Sequence, residues 1–156
     1  MVEDLKAKLA LEESERNRKI QALKNLNTGP LIKMLAQQEE ALEAALRDEA
    51  RVRDLNIGYL ASGTNDCAEV KRILAELSLQ APDIDGKKLT VAEREAWLTL
   101  QRSENRELMA ALDRQRTTAF ELENLRITSE MVKKRLENIK VVLGLRTAQI
   151  EFLTTR

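Results

Sequence analysis

The chain has 156 residues, with 26 Lys and Arg against 26 Asp and Glu and no histidine. That balance leaves no global field to hold the protein on nucleic acid or an anionic membrane, and the missing imidazole removes the commonest general base and metal ligand. Ala, Leu, Glu, Lys and Arg make up 88 residues and aromatics only 3%, a composition that marks long helices and leaves little to fill a broad globular core.

In chain order, helices are expected over about 2–26, 30–58, 66–80 and 91–155. The first carries Val2, Leu5, Leu9, Leu23 and Leu26, but "EESERNRK" in its middle puts polar residues where a core would be. Alone it would be a marginal helix. "NLNTGP" then breaks the chain, because Pro30 disfavours helical dihedrals at Gly29 and suits the first turn of a new helix, with Asn27 or Thr28 as the cap. The second helix has a seam of period 3.5 through Leu31, Leu35, Gln38, Leu42, Ala45, Glu49 and Val52, then Tyr59, widened by Leu46 and Leu55. Two glycines in "GYLASGTND" end it, and Asn65 or Asp66 is the expected cap of the third helix, whose stripe is Val70, Ile73, Leu74 and Leu77.

The corner at 81–90 has Pro82 as a stop, Asp83, Asp85 and Gly86 as turn residues, and Thr90 with Glu93 as a capping box that restarts the chain. Leu89 precedes the cap, but the position it would staple is Arg94, so the hydrophobic half of the motif is missing. The last helix, read as one piece to 155, carries the strongest heptad. From Thr118, steps of four and three give Leu122, Leu125, Ser129, Val132, Leu136, Ile139, Leu143, Arg146, Ile150 and Leu153. Backward, the register meets Ala111, Leu108 and Trp97, but also Gln115, Glu104 and Gln101, so it loosens toward the corner. Gly144 beside it is a tolerated flaw or a point of close approach.

These features predict an all-α fold: an elongated antiparallel coiled-coil helical hairpin over 28–156 with a very long C-terminal helix, preceded by an N-terminal helical arm over 1–27. Folding about residue 85 sets Leu35 near Leu136 and Leu31 near Ile139. It also sets 36–54, net −3, against 126–146, net +4. The arm outruns its partner and is expected to fold back, dangle, or pair with another copy.

The search for chemistry is short. One cysteine, Cys67, allows neither an intrachain disulfide nor a thiolate metal cluster, and packing explains it better than nucleophilic attack without a base. If Gly86 were the sixth position of a calcium loop, Ala81 and Ala92 would occupy the first and twelfth, where ligands are required. No enzyme, cofactor, metal or small-molecule substrate is therefore expected. The apolar seam residues Leu122, Leu125, Val132, Leu136, Ile139, Leu143, Ile150 and Leu153, with Trp97, are the candidate protein interface. Lys133, Lys134 and Lys140 lie off the seam and are the candidate contacts to nucleic-acid phosphate. No aromatic residue interleaves them for base stacking, and the alternative is a solvated face matching the acidic helix opposite. No apolar run is long enough for a membrane span and the N-terminus lacks an apolar signal core, so a cytoplasmic location is expected.

"GKKLTVAEREAWL" followed by a long heptad resembles the small helical-hairpin coiled-coil proteins of bacteriophage and prophage genomes, on Gly86, Lys87, Glu93, Arg94, Ala96 and Leu98. The resemblance covers mainly 86–153 and implies an accessory role in phage DNA replication or recombination, within a host cytoplasm. It supplies no catalytic residues. The leading expectation is a non-enzymatic scaffold or adaptor that self-associates or binds a partner protein. The alternative is the phage-type accessory protein touching nucleic acid through 126–146.

Overall fold

A computed structural model describes residues 1–155. It is all helical, with no β-strand among the described residues: α1 (Val2–Asn25), α2 (Gly29–Leu55), a 3₁₀ turn (Ile57–Tyr59), α3 (Ala68–Leu79), α4 (Val91–Glu104) and the long α5 (Arg106–Thr154). The chain divides into two compact units, one of Met1–Ala44 with the chain from Glu130 onward, the other of Ala45–Ser129.

The breaks follow local chemistry. At the first, the Asn27 side-chain oxygen accepts the Gly29 N–H at 3.0 Å. The corner at 81–90 forms as expected. Asp85 and Gly86 both have positive φ, 52° and 75°. Ile84 and Lys87 exchange two backbone hydrogen bonds of 2.9 Å across them. That is the Asp-Gly type I′ turn, which demands a residue without steric penalty at its second central position. Thr90 Oγ1 accepts the Glu93 N–H at 3.3 Å and the Glu93 carboxylate accepts the Thr90 N–H at 2.8 Å, closing the capping box.

Three boundaries differ from the sequence reading, the first being that α2 ends at Leu55 rather than 58 and gives way to the 3₁₀ turn. The expected single helix over 91–155 is interrupted at Asn105, whose extended ψ of 119° ends α4. Its side-chain oxygen accepts the Leu108 N–H at 3.0 Å, so a helix stop doubles as the cap of α5. The heptad register disguised this break, because it passes through "SENRE" without changing phase. The cap of α3 is also neither Asn65 nor Asp66: it is Cys67, which has no side-chain cap bond. Its N–H instead donates to Gln115 Oε1 at 2.8 Å. Asp66 is used elsewhere, in an ion pair of 2.6 Å with Arg102.

Within Ala45–Ser129 the core is Cys67, Val70, Ile73, Leu77, Leu108 and Ala111, with Tyr59, Leu74, Trp97, Leu98 and Leu112 packed on it. Three elements and the start of α5 converge there, and Leu108 and Val70 reach 0% exposure. The guanidinium of Arg114 lies 4.3 Å from the Tyr59 ring centroid, and its Nε donates to Asn56 Oδ1 at 3.1 Å. This cation–π contact and hydrogen bond secure the end of α2.

In the other unit burial is thinner. Val132, Leu136 and Ile139 are buried on α5, whereas Leu31, Leu35 and Leu42 of α2 are half-buried. Arg146 donates to the Asn27 carbonyl at 3.1 Å, tying the first break to α5. Helix α1 has no buried residue.

Candidate functional site

The α5 seam points inward along its length. Thr118, Ser129, Val132, Leu136 and Ile139 are buried and Leu122, Leu125, Leu143, Arg146, Ile150 and Leu153 half-buried, at every step the heptad named. The same holds for the α2 seam from Leu31 to Val52, where Ala45 is the buried member. Leu46 and Leu55, expected to widen that seam, are instead exposed at 46% and 69%. Trp97 is half-buried against the Cys67–Leu108 cluster. A second copy could use these inward-turned side chains only by opening the seam. Exposed apolar faces lie elsewhere.

One such face was missed in the sequence. Two residues beyond the seam, in the same heptad, α5 carries Phe120, Ile127, Met131, Val141, Leu145 and Phe152, all exposed. Two residues turn a helix by about 200°, so this stripe runs on the side opposite the seam. The signal was legible, since the same stepping of fours and threes started at 120 finds it. It was overlooked because one seam suffices for a hairpin. Near its end, Leu145, Ala148 and Phe152 join Ala22, Leu26 and Leu153 around an open notch of about 610 Å³.

The candidate phosphate contacts Lys133, Lys134 and Lys140 are all exposed. Lys133 lies 3.6 Å from Glu130 on its own helix. Lys134 and Lys140 form no ion pair among the described residues.

Electrostatic perturbation follows helix pairing and capping. The Arg72 guanidinium pulls Glu69 below the usual carboxylate range and is itself held more firmly protonated by Glu69 and Glu76. Arg126 does the same to Glu123, and the Thr90 backbone and hydroxyl do so to Glu93. The Asp66 carboxylate raises Arg102. Each shift favours the ionised form, which an ion pair or cap produces, whereas acid–base catalysis calls for a group poised near its working pH.

No protein-family model, curated protein or solved structure matches this chain.

Proposed function

We propose that this chain is a non-enzymatic coiled-coil scaffold or adaptor, an antiparallel helical hairpin that associates with further copies of itself. The hairpin is supported by two contacts, Arg114 with Asn56 and Arg146 with Asn27, each centred on the turn at Asp85–Gly86. The observation that carries the function is the doubled patterning of α5. Its buried seam accounts for the fold, and the second apolar stripe from Phe120 to Phe152 has no role in that seam. The stripe is interrupted at Asn124, Lys134 and Asn138, and exposed apolar clusters of this kind on a helix are docking surfaces or aggregation liabilities. Sedimentation equilibrium across micromolar concentrations tests this. Concentration-dependent association is expected, and a strict monomer overturns it.

A second reading is favoured by the exposure of Lys134 and Lys140: a phage-type accessory protein of DNA replication or recombination that meets phosphate through 126–146. Binding would then weaken steeply with salt. Filter binding at low salt with single- and double-stranded DNA tests it, and no retention of either removes it.

A further inference from the structure

Helix α1 is exposed on every side from Val2 to Arg18, and partial burial begins only at Lys19 and continues at Ala22, Leu23 and Leu26. The stripe half-buried at Lys19, Leu23 and Leu26 runs back in unbroken heptad steps through Arg16, Glu12, Leu9, Leu5 and Val2. Leu5 and Leu9 stand 58% and 62% exposed on it. Immediately beside this stripe are four charged residues, Lys6 and Lys8 followed by Glu13 and Glu15.

Those positions flank the seam of a coiled coil, where charge sets the partner and its direction. We propose that α1 pairs with α1 of a second copy of this chain, antiparallel, about a midpoint between Ala10 and Leu11. This deepens the self-association reading and rests on it. Reflection about that midpoint maps the stripe onto itself. Leu9 layers with the partner's Glu12, and Leu5 with the partner's Arg16, whose aliphatic stem can cover it while the head reaches water. Lys6 then faces the partner's Glu13 and Lys8 the partner's Glu15. By symmetry each pair occurs twice. A parallel pairing stacks Val2, Leu5 and Leu9 each on its own copy, but it also stacks Glu12 on Glu12, Arg16 on Arg16 and Lys19 on Lys19 in the seam and retains only Lys8 opposite Glu13. Charge therefore favours the antiparallel direction, against the apolar stacking of the parallel one. Since every layer sets an aliphatic side chain against a charged one and the ion pairs are exposed, the dimer is weak and salt-sensitive.

The test uses the full chain. Two double variants, K6E with K8E and E13K with E15K, each place like charges across the interface. Each should dimerise at least tenfold more weakly than the parent by sedimentation equilibrium, and an equimolar mixture should recover the parent affinity as a heterodimer. All these side chains are exposed, so circular dichroism should show unchanged folding. Under mild oxidation, chains carrying L9C mixed with chains carrying E12C should cross-link one to the other in preference to either homodimer; Cys67 is 1% exposed and stays out of the reaction. A parent chain that is strictly monomeric overturns both this pairing and the self-association reading. A parent dimer indifferent to both charge reversals, or one that cross-links L9C to itself, overturns the antiparallel α1 pairing and leaves association through another face.

Discussion

In Ala45–Ser129, Leu108, Val70 and Cys67 are shut off from solvent, whereas the unit holding α1 has Val132, Leu136 and Ile139 as its best-covered side chains, still 6% to 8% exposed. The composition of the two units is similar. What differs is the number of elements that meet. Around Leu108, the 3₁₀ turn, α3, α4 and the start of α5 enclose a point from several directions. In the other unit the seam side chains of α2 are only half-buried. A few short helices at the corner therefore supply more complete burial than the longer seams, and the long helices keep apolar side chains exposed.

The sharpest way to break this comparison is a pair of truncations measured by chemical denaturation. Leu108→Ala should cost about 3 to 4 kcal/mol, because an enclosed site cannot collapse onto the cavity. Leu136→Ala should cost about 2 kcal/mol, the low end for this substitution, since water can enter from the open side. Equal costs would mean that the surroundings of Leu136 are as well packed as the corner. Next in size is Thr90→Ala, which removes the cap where α4 leaves the turn and should cost about 1 kcal/mol.

The same variant sharpens the electrostatics. Glu93 titrates below the usual carboxylate range because the Thr90 N–H and hydroxyl hold its ionised form. Its contribution is therefore fully present above the ordinary glutamate value of about 4.3 and is lost as pH falls through the lower folded value. An NMR titration should find the Glu93 midpoint depressed in the parent and closer to ordinary in Thr90→Ala. The smallest effect has the opposite sign. A Cβ added at Gly144 meets nothing within 4 Å, so Gly144→Ala should stabilise α5 by about 0.5 to 1 kcal/mol. Destabilisation there would reveal a close neighbour and revive the idea that Gly144 marks a point of approach.

Much of the arrangement was legible because it depends on spacing. The α5 seam from Leu108 to Leu153 and the α2 seam from Leu31 to Val52 follow from period 3.5 alone, and the Asp85–Gly86 turn and Thr90–Glu93 box from residues adjacent in sequence. Harder to read were features in which one polar residue serves a distant backbone group. Gln115 looked like a defect in the seam, yet its carbonyl oxygen receives the Cys67 N–H 48 positions away. Asp66 looked like a cap, yet Arg102 takes it. Asn105 ends one helix and starts the next without shifting the register, so periodicity could not expose it.

By itself the sequence determined that the chain is helical, where three of its breaks fall, and which stripe of each long helix forms the seam. These are short-range matters of propensity, capping and period. Only the tertiary structure decided which polar seam residues are satisfied, that Trp97 packs on a corner core with Leu108 at its centre, and that α1 from Val2 to Arg18 and the outer stripe of α5 from Phe120 to Leu145 are exposed. Burial depends on which elements converge, and convergence is a property of the folded chain that no window of sequence contains.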